Sequence, residues 1–397
     1  MGELEIEVRK ITLGTLNISE TGKRYVNEAL DNNRLSRGPF TEKFEKEFAQ
    51  MHGCDYGIFL NSGTSALQVA LAALKEYYGY ENGDEVIVPA TTFIATSNVV
   101  IQNGLKPVFV DVDVATFNID PARIEEAIAP RTRCIIPVHL FGLPAYMPEI
   151  VRLARVYRLQ IIEDSCETMF AGNKYQPVGS FGNLACFSTY VAHLIVGGVG
   201  GLITGKDPEL EKICRSLMAH GRDSIYTNID QDDSDDAALR KQMIERRYSF
   251  ERVGYSYRAT ELEAAIALSE LERWQENIET RQKNARLLSE LLSDLPQLQL
   301  PYIPDGYYHS FMMYPMVVDE DRDKLLTYME ERGIETRYLF PLLSQPIYRK
   351  LFPGLEDKFP VAKDLAENGF FIGMHQGLSS DDILYVSDVI HGYFNGK

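Results

Sequence analysis

The chain has 397 residues, 45% of them apolar and 11% aromatic, which is enough for a sizeable core in two or three folding units. Its 57 acidic side chains outnumber 40 basic ones, and the formal charge of -17 would repel a polyanion, which argues against a nucleic-acid partner. Five widely spaced cysteines (Cys54, Cys134, Cys166, Cys186, Cys214), with no CxxC pair, read as reduced thiols of a cytoplasmic protein and not as metal ligands.

The opening MGELEIEVRK has no apolar signal core and, with Ile6 at the sixth position, fails the myristoylation pattern. From residue 56 short β-branched runs alternate with helical patterns: YGIFL, a helix from Thr64, EVIVP, a helix near Ile94 to Gln102, then PVFVDVD. CIIPVHL, a helix from Pro148, LQIIEDS, ACFSTY and GGLITG follow. That order predicts an α/β fold with a mixed, mostly parallel sheet, helices on both faces and a ligand beyond the strand ends. Two stretches, 86–105 and 178–205, lack Asp, Glu, Lys and Arg, but Asn, Thr, Ser and Gly run through both, so they read as buried core and no membrane is expected. The acidic run QDDSDD, 231–236, reads as a solvated loop, since no EF-hand spacing accompanies it. Helical periodicity spans Thr260 to Leu292, after which prolines at 296, 301, 304 and 315 interrupt the texture. SFMMYPMVV then predicts a strand, and DRDKLLTYMEERGI a helix and turn of a smaller α+β unit. The expected division is a large domain over 1–265 and a small one over 266–397.

Three stretches carry candidate chemistry. In LNSGTSALQVAL, Leu60 to Leu71, an apolar strand runs into Ser-Gly-Thr-Ser and an apolar helix, so unpaired N–H groups and hydroxyls meet at a positive helix end. That end suits a phosphate, and an ordinary N-cap by Ser62 or Thr64 explains the same residues. In IIEDSCE, Ile161 to Glu167, two carboxylates at the end of a buried strand need partners, for which a cationic ring nitrogen or a helix cap by Asp164 or Ser165 would serve. Phe93, just past a strand end in PATTF, suits either a ring stacker or the core. With the Ser188 hydroxyl, these pieces together describe pyridoxal phosphate: its phosphate at the helix end, its ring nitrogen kept protonated by an acid. The lysine that ordinarily tethers this cofactor is missing. No Lys lies between Lys174 and Lys206, and the glycine-rich stretch CFSTYVAHLIVGGVGG offers His193 instead.

Nearly the whole chain resembles the DegT-type nucleotide-sugar aminotransferase family of fold-type I pyridoxal phosphate proteins. The matching pieces include LSRGPFTEKFEKEFA, NSGTSAL, GDEVIVPATTFIAT, PVHLFG, IIEDSCE, MAHGR, GYSYRATELEAAIAL, GIETRYLFPL and GMHQGLS, in order. In that pattern the cofactor lysine follows Ser-Phe-Tyr by three residues, and counting from Ser188 lands on His193. Histidine there resembles the pyridoxamine phosphate-dependent 3-dehydratase branch, as do the Cys-Glu after Asp164 and the long segment between His220 and Gly254.

The resemblance implies roles. His193 would be the base that moves a proton at the cofactor, since imidazole can do this but cannot supply a primary amine. Asp164 would pair with the ring nitrogen, Phe93 would stack, and Glu167 would lie near the ring hydroxyl. Gly63, Thr64 and Ser188 would hold the phosphate. His220 would assist near the substrate or make a structural hydrogen bond, and Arg337 would meet an anionic ligand or stand solvated. Two departures stand out: Gly-Glu-Gly-Gly of the pattern reads Gly-Val-Gly-Gly at 198–201, and Ser256 replaces an asparagine that reaches across a dimer to the neighbouring phosphate. The implied partners are a nucleotide-linked 4-keto-6-deoxy sugar, glutamate as amino donor and a second copy in a homodimer with shared sites. The implied reaction is loss of the C3 hydroxyl. The alternatives are a nucleotide-sugar aminotransferase, including one whose lysine has been replaced by His193, and a noncatalytic binder of cofactor or sugar nucleotide.

Overall fold

The computed structural model describes residues 9–223, 237–246 and 248–396. The acidic run at 231–236 and the first eight residues, read above from sequence, lie outside them.

Thirteen strands order the described chain. β1 (Tyr56–Leu60), β2 (Glu85–Pro89), β3 (Lys106–Val110), β4 (Thr132–Ile135), β5 (Gln160–Asp164), β7 (Leu184–Ser188) and β8 (Gly201–Gly205) form one seven-stranded sheet. Its order is β1-β8-β7-β5-β4-β2-β3. β3, β2, β4, β5 and β7 run parallel, while β8 lies antiparallel between β7 and β1. The sheet is therefore mixed and mostly parallel, as the alternating runs predicted. β1, β7 and β8 are buried along their whole length, which explains why their sequences are continuously apolar or small instead of alternating. β6 (Gly172–Asn173) and β10 (Tyr307–Tyr308) make a two-stranded ribbon.

A second sheet, β12-β13-β11-β9, is antiparallel throughout, from β9 (Leu298–Gln299), β11 (Met313–Val318), β12 (Thr336–Tyr338) and β13 (Gly369–Gly373). β11 accepts Pro315 in its interior because β9 covers only Val317 and Val318, so the missing N–H costs no ladder bond on that side. Helices Trp274–Leu291 and Ser380–Asn395 pack against each other and cover this sheet with an apolar cluster that includes Leu288, Tyr314, Phe370 and Val386. Ile11, from the opposite end of the chain, joins the same cluster and bridges Ile334.

The helical stretch Thr260 to Leu292 is two helices, not one. Glu261–Leu271 starts on a capping box of Thr260 and Glu263, and Trp274–Leu291 follows after a break at Glu272 and Arg273. Periodicity alone could not show the break, because it is enforced from outside. It turns Trp274 onto Phe170, 4.4 Å away between ring centres, and sends the second helix toward the smaller sheet. The two charge-free stretches fold as strands, turns and short helices of the large sheet, and no described helix is long and apolar enough to cross a membrane.

Candidate active site at the strand ends

The carboxyl ends of β2, β5 and β7 open into a cavity of about 790 Å³, within the size range of small-molecule sites. Eight of the ten residues given roles from sequence line it: Gly63, Thr64, Phe93, Asp164, Glu167, Ser188, His193 and Arg337.

Strand alternation separates the two carboxylates of IIEDSCE. Glu163 points away from the cavity and is fully buried, where it accepts from Gly179 N, Phe181 N and Gly182 N at 2.8 Å each and meets His139 Nε2 at 3.1 Å. Asp164, one residue on, faces the cavity and is only 4% exposed. Its Oδ2 accepts from Thr96 Oγ1 at 2.8 Å and its Oδ1 from Cys166 N at 3.2 Å. Burial pushes this carboxyl above its ordinary range, against those two hydrogen bonds. Glu167 follows at the turn; Phe141 N donates to its Oε2 at 3.0 Å, and burial outweighs that bond to carry its pKa up to about 8. A neutral Glu167 has a proton to donate near pH 7.

The phosphate side is built from close backbone approach. Helix Gly63–Tyr78 is capped by Ser62, whose Oγ accepts from Ser65 N at 3.1 Å. Its first N–H groups have no partner within the helix. A Cβ on Gly63 would sit 2.7 Å from Cys166 Sγ and 3.0 Å from Ser188 Cβ, so glycine there lets the helix end, the β5 turn and the end of β7 converge. At Gly201 a Cβ would fall 2.5 Å from Gly63 N, which explains the last glycine of the Gly-Val-Gly-Gly stretch.

His193 stands on the crossing from β7 to β8, in a turn closed by His193 N donating to Tyr190 O at 2.9 Å. The residue lines the cavity, yet its Nδ1 is sealed in protein with no hydrogen-bond partner. Burial lowers the imidazole pKa to about 4, and the Arg281 charge works in the same direction while the Tyr190 carbonyl works against both. The ring is therefore neutral at physiological pH and able to take a proton.

These residues fit a pyridoxal phosphate. Asp164 is a buried carboxylate that hydrogen-bonds a hydroxyl and an amide but forms no ion pair among the described residues; a cationic ring nitrogen is the group that would offset its desolvation. The glycine-lined helix end suits a phosphate. Phe93 is 56% exposed at the cavity, edge-on to Phe340 at 6.2 Å, and offers a face to a planar ring. Among the described residues lining the cavity there is no lysine.

His220 and Ser256 lie elsewhere. Both are exposed and outside the cavity lining, on neighbouring backbone bridged at Ala219 and Ser256. Arg258 joins them, its Nη2 3.2 Å from His220 Nε2 and 3.4 Å from Ser256 Oγ. His220 adopts φ +67°, a strained choice for a residue with a side chain. Sequence reasoning missed Thr96, the hydroxyl that holds Asp164; it lies in the first turn of helix Ala95–Gln102, and Thr92 Oγ1, just before that helix, is 2.8 Å from it. It also missed Leu13, for which no local signal exists: the N-terminal segment reaches the cavity only because Ile11 pairs beside β12.

Known proteins resemble the chain along most of its length. The profile of the DegT/DnrJ/EryC1/StrS aminotransferase family matches residues 17–391. A GDP-perosamine synthase of Caulobacter vibrioides is 34% identical over 384 residues, 95% of this chain and 96% of its own. A dTDP-4-dehydro-2,6-dideoxy-D-glucose 3-dehydratase of Saccharopolyspora spinosa is 33% identical over 377 residues, 90% of this chain and 80% of its own. Among solved structures, the E. coli GDP-4-keto-6-deoxy-D-mannose-3-dehydratase with bound hydrated PLP superposes with a TM-score of 0.86 at 27% identity, covering 97% of this chain and 100% of that one.

Proposed function

Because the chain belongs to the DegT/DnrJ/EryC1/StrS aminotransferase family, a family of fold-type I pyridoxal phosphate enzymes, we propose that it removes the C3 hydroxyl of a nucleotide-linked 4-keto-6-deoxyhexose. The observation that carries this reading is His193, which lines the cavity and falls where the resemblance would put the cofactor lysine. Relatives of both reaction types are about equally similar, so overall identity does not separate them. The side chain at 193 favours the dehydratase.

When bound, pyridoxamine phosphate would supply a primary amine for the keto carbon and a ring able to accept an electron pair. Asp164 would keep the proton on the ring nitrogen, its own charge held by Thr96 and the Cys166 amide. Neutral Glu167 would donate to the ring hydroxyl, and Gly63, Thr64 and Ser188 would bind the phosphate. Phe93 would cover the ring. His193, neutral because of its burial, would take the proton at C4′, the change that would let the C3 hydroxyl leave. Lacking a primary amine, His193 would leave release of the sugar to water. The net change balances: the sugar loses one oxygen, and glutamate becomes 2-oxoglutarate and ammonia.

Arg337 would receive an anionic group at the cavity, exchanging its present pairing with Glu335. We place His220 and Ser256 at a homodimer boundary, where they would face the neighbouring cavity. An aminotransferase reading draws on the 34% identity to a perosamine synthase, but it needs an amine that position 193 does not offer.

The test is mass spectrometry of products after incubation with pyridoxal phosphate, glutamate and a panel of nucleotide-linked 4-keto-6-deoxyhexoses. A product lighter by one oxygen is expected. An amino sugar defeats the proposal.

A further inference from the structure

Helix Trp274–Leu291 buries an arginine deep behind the site. Arg281 is 2% exposed, and every acceptor around its guanidinium is neutral. Nε donates to Gln376 Oε1 at 3.1 Å, and Nη1 faces the carbonyls of Phe311, Met312 and Met374 at 3.0 to 3.3 Å. Nη2 donates to the carbonyl of His193 at 3.3 Å. The carboxylate with most influence on it, Glu270, is already paired with Arg273. A buried cation without its own counter-ion is expensive, and here that cost is offset by five neutral acceptors. Four of the five acceptors belong to the chain flanking β11 and β13. The fifth is the backbone of the proposed base.

We propose that Arg281 is a positioning residue for His193: its guanidinium grips the carbonyl of the β7–β8 crossing, anchoring the turn that carries the imidazole at the cavity, and sets a positive charge close to the ring. The inference rests on the proposed role of His193 as base, but the arrangement is a property of the protein without ligand. Several groups surround the imidazole. Asp164 and Glu167 share its cavity from the β5 end, Arg337 from β12, and Tyr190 from its own turn. His375 lies beyond Arg281 and is itself lowered to about 4, by burial first and by the same guanidinium second. Of these charges, Arg281 is the one that weighs on His193.

The test is a pH titration of the full-length protein without cofactor, labelled at histidine Cε1 and followed by NMR, with the His193 signal assigned by its loss in His193→Asn. In the natural chain the His193 midpoint should lie near the value of about 4 set by burial and the guanidinium. Arg281→Met should raise it by about one pH unit. Arg281→Lys keeps the cation but loses the fork, so the midpoint should stay within about 0.3 unit while turnover falls about tenfold. Gln376→Glu puts a carboxylate against the guanidinium from a less buried position and should also raise the midpoint. If Arg281→Met does not fold, Gln376→Glu decides alone. A folded variant of either kind with an unmoved midpoint overturns the proposal. These midpoints do not depend on the reaction, so an amino-sugar product would sink the dehydratase reading and leave them standing.

Discussion

Glu163 and Asp164 are chemically similar neighbours at the end of one strand, and their surroundings differ completely. Glu163 is offered four partners, three backbone N–H groups and an imidazole, all supplied by the protein itself. Asp164 is offered a hydroxyl and an amide and faces the cavity. A carboxylate with all its partners in place is architecture, whereas a desolvated one lacking a cation is prepared for a ligand that brings one. The same contrast separates the imidazoles. His139 uses both nitrogens, toward Glu163 and Ala145 N, while the Nδ1 of His193 has no partner.

The contrast can be broken in either direction. Asp164→Asn should lower turnover by about 10³-fold or more with little change in the unfolding midpoint, because the developing charge loses its counter-ion while the fold loses only an ill-compensated one. Steady-state kinetics beside thermal melts would check it, and a fold that collapses with activity would contradict it. Glu163→Gln should do the reverse: stability falls by about 3 kcal/mol, since an imidazole and three amides lose their charged acceptor, while turnover per folded molecule stays within a few-fold. Urea melts measure the first and active-site-normalised rates the second.

A pH series sharpens the comparison without mutation. Burial lowers His193 to about 4, along with His52 and His375 to about 4 and His309 to about 3. As pH falls, the unfolded chain takes up protons at these residues first, so stability present above about pH 6.5 is lost progressively toward pH 4. Glu167 has the opposite sign. Its folded carboxyl holds a proton up to about 8, so the stability it contributes at low pH is lost as pH rises from about 4.5 to 8. Thermal melts of the cofactor-free protein should therefore fall away on the acid side, and His193→Asn should recover about 2–3 kcal/mol at pH 4. The smallest effect is expected at Thr96→Val, which removes one neutral donor from Asp164 and should lower turnover about tenfold.

Much of this was written in local sequence. The strand runs, the helix end at Gly63, Asp164 and the imidazole at 193 sit on short segments whose spacing survives folding. What stayed hidden depends on residues far apart in the chain. The break at Glu272 and Arg273 follows from docking Trp274 on Phe170, and Leu13 enters the cavity through a bridge to Ile334. Arg281 carries no local signal, because the His193 carbonyl that the fold brings to it is 88 residues away in sequence. His220 and Ser256 were found by motif, and the fold leaves both outside the cavity lining of their own chain.

The central claim is that the cofactor rests untethered, with an imidazole moving the proton where a lysine would hold on. Borohydride reduction of the enzyme loaded with pyridoxal phosphate, followed by peptide mass spectrometry, tests it directly. The account predicts no pyridoxyl adduct on any side chain of the natural sequence and an adduct at position 193 in the His193→Lys variant. An adduct on the natural chain would contradict it.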